Sequence, residues 1–216
     1  MTDNTDLRQE NTTCPSRSEA LKIWEKGIFD RCQKPYGFPF EGEYRFHTLG
    51  VAKAAEAIAS HIEGMDCDKA YVLGLLHDYG KRISERTEGR FHGREGFEAM
   101  QEMGYTEVAK ICLTHTFPNK DFSDDEFSYP QDWQDWSRQK LADIEYNDYD
   151  YLIALCDKFF EGMSMVSISK RVKGIVQRYG LAPSQEKILF DGAMRLKDYF
   201  DHKTGCDIYD ILGIEE

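Results

Sequence analysis

The sequence predicts an all-α protein built as a single domain over residues 1–216. Three observations predict it. Apolar residues recur at helical spacing along nearly the whole chain, and few stretches show the period of two that a half-buried strand requires. Glycines fall where helices should stop, at Gly64 and Gly104. The length, with 41% hydrophobic residues, suits one domain with a full core, or one domain carrying an insertion.

The elements follow in order. A polar N-terminal tail, MTDNTDLRQENTT, has no apolar repeat and is expected to lie outside the fold. Pro15-Ser16 opens a first helix that runs to about Asp30. The stretch CQKPYGFPFEGEY is rich in Pro, Gly and aromatics and reads as an irregular loop. Helices are expected near 46–62, 68–79, 92–103 and 105–116, then at about 148–162, 164–179 and 184–202, with a terminal turn at DIYDILG. Residues 118–150 stand apart, with ten acidic and three basic residues, a net of −7, and seven aromatics. They read as a partly helical acidic insertion, with Pro130 opening a helix to about Ile144.

Charge and cysteine content exclude several roles. The net charge is −12 and the pI about 5.0. Binding a nucleic-acid polymer or an anionic membrane needs clustered Lys and Arg, so both are unfavoured as partners. A small phosphorylated substrate remains compatible, because local charge decides within a site. The six cysteines form no CxxC pair and are widely spaced, which fits reduced thiols in a cytoplasmic protein. The acidic, polar start does not resemble a signal peptide, and no run approaches the ~18 apolar residues of a membrane span.

The chemistry sits in the histidines. Positions 47, 51, 55, 58 and 62 read His, Val, Ala, Ile, Ile, one face of a helix with a histidine on it. The same holds for 70, 73, 74 and 77 (Ala, Leu, Gly, His), for 92, 96, 99 and 103 (His, Gly, Ala, Met), and for 108, 111, 112 and 115 (Val, Ile, Cys, His). On a later helix, 153, 157 and 160 read Ile, Asp, Phe, and Asp78 adjoins His77. A lone histidine on an apolar face is usually a satisfied core residue. Five helices aiming imidazoles and carboxylates at one interior would bury polar groups at several kcal/mol each. A divalent metal resolves the conflict. Six ligands suit two ions better than one, with Asp78 as the bridge. His61 and His202 lie beside charged residues at helix ends and read as surface groups.

The order His47, His77-Asp78, Asp157 resembles the HD-domain superfamily of metal-dependent phosphohydrolases, over roughly residues 40–165. HDYGK is similar to the HD-[aromatic or aliphatic]-G-K form of several branches. His92 in FHGREG and His115 in THTF resemble the two extra histidines of the dinuclear branch. LLHDYGK, HT and LCDKF are also similar to bacterial hydrolases of symmetrical dinucleoside tetraphosphates, from which the acidic insertion departs. The resemblance implies an HD-type helical bundle, to which the helical pattern of the chain adds C-terminal helices at about 164–213. It implies a hydrolase of a small phosphoester, a nucleotide being favoured, that uses metal-activated water. The expected metal ligands are His47, His77, Asp78, His92, His115 and Asp157, with Asp78 and Lys81 as the catalytic residues. Two divalent ions are expected, with Fe or Mn favoured because no cysteine is among the ligands, and Zn, Co, Ni or Mg as alternatives. Lys81 either meets a phosphate or is a solvated cation at a helix end.

Weaker signals stay open. YGFPFEGEYRF either lines the mouth of the site, with Arg45 on a phosphate, or packs its own side chains. Ser169, Lys170, Arg171 and Lys173 either steer anions or form a solvated face, and Arg82 reads as a surface residue. Trp133 and Trp136 either stack a base or pack over the bundle. Two rival functions use the same residues: a dinuclear-iron oxygenase of the HD type, and a non-catalytic ligand-binding module. A homodimer is compatible with the sequence.

Overall fold

The computed structural model describes residues 13–35, 37–82, 92–120 and 131–215. Among these, ten α-helices account for nearly all regular structure, with one two-stranded hairpin. No helix among the described residues is long and apolar enough to cross a membrane.

Local signals explain most helix starts. Helix α1, Arg17–Cys32, is capped by Ser16, whose hydroxyl accepts from Glu19 N while the Glu19 carboxylate accepts from Ser16 N. Helix α2, Glu41–Ala59, begins inside the segment expected to be a loop. Glu41 and Glu43 in its first turn favour the positive end of the helix dipole, so the irregular stretch stops at Phe40. Helix α3, Cys67–Leu76, is capped by Asp66, which accepts from Lys69 N. It ends sooner than expected, with His77 as its C-cap, and a separate 3₁₀ turn, Tyr79–Arg82, follows. Helices α4, His92–Glu102, and α5, Thr106–Thr114, form an antiparallel pair across Gly104, whose φ of 83° a side chain would resist.

Helix α6, Gln131–Asp143, carries the insertion; Pro130 itself lies outside the described residues. Trp133 and Leu141 bury against Leu113 and Phe117 as a second small core, with Trp136 edge-on to Phe97 at 5.5 Å. The tryptophans therefore pack on the bundle. The far end of the acidic segment belongs to the main core. Asp150, fully buried, lies in the first turn of helix α7, Asp148–Cys156, and accepts from Thr114 Oγ1 at 2.7 Å.

The expected helix over 148–162 stops at Cys156. A 3₁₀ turn, Asp157–Phe159, leads into strands β1, Phe160–Glu161, and β2, Ser164–Met165. They pair antiparallel, Phe160 with Met165 and Glu161 with Ser164, around Gly162. Helix α8, Ile168–Tyr179, starts four residues later than expected, at the Ser167 cap. Helices α9, Pro183–Thr204, and α10, Ile208–Leu212, complete the chain.

Helix α3 is the hub. Every residue from Ala70 to Leu76 is buried, so it is surrounded by its neighbours rather than laid on them. Its closest partner is α2. A Cβ on Gly74 would stand 2.8 Å from the Ala52 Cα, so the two backbones touch there. This contact lies three residues before His77 and five after His47. Gly74→Ala is therefore expected to cost about 1–3 kcal/mol by overpacking at backbone that cannot swing aside, read as a lower urea midpoint. An unchanged midpoint would show that the helices separate freely.

Candidate metal centre

Three helices end at the same place. His77 is the C-cap of α3, His115 of α5 and Asp157 of α7. A helix C-terminus carries partial negative charge on its unpaired carbonyls, which favours a cation. Carbonyls one turn earlier orient the imidazoles. His77 Nδ1 donates to Gly74 O at 2.7 Å, and His115 Nδ1 donates to Ile111 O at 2.9 Å. Each ring thereby turns Nε2 toward the common interior, the tautomer a metal ligand needs. His47 comes from the second turn of α2. His92 opens α4, and a Cβ on Gly80 would stand 1.8 Å from the His92 carbonyl oxygen. Only glycine allows the turn after Asp78 to meet α4 so closely.

The side chains converge. His47 Nε2 lies 3.1 Å from His77 Nε2, 3.3 Å from Asp78 Oδ2 and 3.1 Å from Asp157 Oδ1. On the other oxygen, His92 Nε2 lies 3.3 Å and His115 Nε2 3.7 Å from Asp78 Oδ1. His47, His77 and Asp78 form one donor triad, and Asp78, His92 and His115 a second, so the Asp78 carboxylate is shared. His61 and His202 are exposed and take no part.

The spacing tests the fit to a metal. Bonds of ~2.1 Å at angles of 90–109° put neighbouring donor atoms roughly 2.9–3.4 Å apart. Most of these contacts fall at that spacing, though nitrogen against nitrogen is otherwise a poor partner. Asp78 is 1% exposed, and its buried Oδ1 has no hydrogen-bond partner among the described residues. A buried carboxylate oxygen without a donor is costly. Coordination to a cation would satisfy it.

The charges are already sorted. Burial opposes protonation of His77, but the Asp78 and Asp157 carboxylates outweigh it and push its pKa up to about 9. Burial pushes His92 down to about 4 and His115 down to about 3. Both carboxyls stay well below the usual range despite burial, Asp78 through Lys81 and His77, and Asp157 through Lys158 and His47.

Two lysines flank the cluster. Lys81 Nζ donates to Asp78 Oδ2, and Lys158 Nζ donates to Asp157 Oδ2 at 3.0 Å. Lys158 was not singled out from the sequence, though its place beside Asp157 mirrors that of Lys81 near Asp78. Thr116, whose hydroxyl lies 3.3 Å from His115 Nε2, was also missed, while Phe160, on the Asp157 stripe, stands edge-on to His47 at 5.9 Å. Other expected contacts go elsewhere. Arg45 binds Glu25 and Glu41, and Arg171 binds Glu161. Arg82 is not a solvated surface residue, because its guanidinium stacks on the Tyr79 ring at 3.7 Å.

One comparison places the chain. The HD domain family model matches residues 44–161, more than half of the protein, and spans His47 through Asp157. The chain belongs to the HD-domain family. That superfamily comprises metal-dependent phosphohydrolases, and the His/Asp cluster fits its metal site. No curated protein and no solved structure matches the chain.

The shifts set a pH dependence for the HD protein after chelator treatment. His77, raised above its ordinary ~6.5, contributes stability that is complete below pH ~6.5 and lost as pH rises through about 9. His92 and His115 are depressed, so their contribution is present above ~6.5 and lost as pH falls toward their folded values. The cluster should therefore stabilise the stripped protein most near pH ~6.5, and apparent metal affinity should rise from there toward pH ~9 as His77 loses its proton. Thermal midpoints across pH and metal titrations at two pH values check both. An affinity flat with pH would contradict the charge assignment.

Proposed function

We propose that this HD protein hydrolyses a small phosphoester, with a nucleotide as the favoured class, at a two-ion centre held by His47, His77, Asp78, His92, His115 and Asp157. Asp78 carries the reading, because one buried carboxylate serves two donor triads and its Oδ1 has no hydrogen-bond partner among the described residues. Fe or Mn suits a set of imidazoles and carboxylates without thiolates. Bound divalent ions supply Lewis acidity and lower the pKa of a coordinated water from 15.7 to ~7.

The chain's own residues supply the rest. Asp78 fixes the two triads relative to each other. The carbonyls of Gly74 and Ile111 hold His77 and His115 in one tautomer. Lys81, half-exposed and donating to Asp78, can reach a phosphoryl oxygen and offset the charge that builds there in the transition state. Lys158 stands on the Asp157 side with the same capacity. A lysine at the carboxylate favours the phosphohydrolase reading over the oxygenase, because it can offset charge on a phosphoryl oxygen. All six ligand positions are filled, which a non-catalytic module would not need.

Asp78→Ala should abolish phosphatase activity and lower metal content together, measured by elemental analysis and phosphate release. Lys81→Ala should keep the metal and lose about 10²-fold in kcat/KM. Wild-type activity in Lys81→Ala on every substrate would remove its role.

The acidic balance of the chain also bears on substrate size. Protein purified without chelators should carry close to two transition metals and release phosphate from nucleotides, phosphosugars or dinucleoside polyphosphates. It should leave long RNA and DNA intact, because the net charge repels a polyanion within a Debye length of ~8–10 Å. Efficient turnover of a polymer would overturn the reading.

A further inference from the structure

Thr116 sits on the turn that follows α5, one residue past His115. The turn is held from two sides. Phe117 N donates to Thr114 O at 2.9 Å, and Tyr146 Oη donates to Phe117 O at 2.6 Å. Phe117 itself is buried in the second small core, its ring beside that of Trp133. The backbone around the half-buried Thr116 is thereby fixed, and only its side chain is free to choose a partner.

That choice departs from the habit of this molecule. Serine and threonine hydroxyls near helix ends commonly turn back to a carbonyl three or four residues earlier. Thr204 does so at the end of α9, donating to Phe200 O at 2.8 Å, and Ser60 does so after α2, donating to Ala57 O at 2.7 Å. Thr116 does not. Its one hydrogen bond among the described residues is to His115 Nε2, at 3.3 Å. His115 Nδ1 carries a ring proton, since it donates to Ile111 O. In a neutral imidazole Nε2 is then an acceptor, so the Thr116 hydroxyl is the donor. It occupies the lone pair that the second triad would give to an ion.

We propose that Thr116 contacts the substrate on the His92–His115 side of the centre: once Nε2 is committed to a metal ion, the hydroxyl turns its proton to an oxygen of the phosphoryl group. This rests on the two-ion reading above. The two lysines bond carboxylate oxygens on the His47 side, Lys81 at Asp78 Oδ2 and Lys158 at Asp157 Oδ2. Thr116 adds a donor beside the other triad, so a phosphoryl group is held from both. The exchange costs little. The hydroxyl proton swings about a single bond, with no movement of the anchored backbone, and one acceptor replaces another. The new acceptor is charged, which strengthens the bond.

Thr116→Val keeps the shape of the side chain and removes the donor, while Thr116→Ser keeps the donor. Mn²⁺ is titrated calorimetrically into the chelator-stripped full chain, and inorganic phosphate is then titrated into the Mn²⁺-loaded form. Thr116→Val should take up two Mn²⁺ with affinities within about twofold of wild type, yet bind phosphate about tenfold more weakly. Thr116→Ser should bind phosphate within about threefold of wild type. A residue that only braced His115 would instead weaken the second Mn²⁺ in Thr116→Val. That result, or phosphate affinity unchanged in Thr116→Val, overturns the proposal and leaves the two-ion reading in place. A wild type that takes up a single Mn²⁺ overturns the two-ion reading and this proposal with it.

Discussion

Three helix C-termini pointing at one spot is the constraint on which the rest of this structure depends. Helices α3, α5 and α7 each end in a residue of the cluster. Their terminal carbonyls bring negative potential to a place that also holds two buried carboxylates. Such a site is intolerable without positive charge. The protein supplies some from within, through His77 with its raised pKa and through Lys81 and Lys158. These groups answer Asp78 Oδ2 and Asp157, yet Asp78 Oδ1 stays without a hydrogen bond among the described residues. The imbalance is local to that oxygen, and it faces His92 and His115, which burial keeps neutral.

Close packing makes the convergence possible. Helix ends can meet only if the helices leading to them run near one another, and glycines set those approaches. Gly74 brings α3 against α2, joining the elements that carry His77 and His47. Gly80 and Gly96 bring the turn after Asp78 against α4, joining Asp78 to His92. Gly50 admits the Phe160 ring, which stands edge-on to His47. Methyl groups at these positions would act on the donor spacing before they acted on the fold as a whole, because each contact lies within a few residues of a ligand.

How much of this was legible in the sequence follows from the same physics. The helical period identified the all-α class, because burial of one stripe per helix leaves a repeating trace over ten or more residues. The polar members of the cluster were legible because they interrupt those stripes. His47, His77, His92, His115 and Asp157 all stand where an apolar residue belongs, and all are in or beside the cluster. What failed were features with no period. Strands of two residues leave no alternation, so the hairpin after Asp157 was read as helix. The first turn of α2 was hidden by the aromatic and glycine-rich segment before it, although Glu41 and Glu43 were a usable sign. Lys158 and Thr116 were missed because a single polar residue beside a ligand looks like any solvated side chain until the turn direction is known.

Charge distribution extends the argument beyond the site. The chain is strongly acidic, yet its metal-centre lysines sit directly on the ligand carboxylates, within ~3 Å, where Coulomb attraction in a half-buried setting is strong. A phosphate reaching the centre meets those cations at contact distance, and the surface repulsion it crosses is screened beyond ~8–10 Å. A small dianion passes that barrier once. On the proposed reading a polymer would not, since each further phosphate would stay outside, near the acidic surface, and add repulsion without gaining a lysine. On the proposed phosphohydrolase reading, the same charge pattern that would weaken a nucleic-acid binder would favour a small substrate over a polymer.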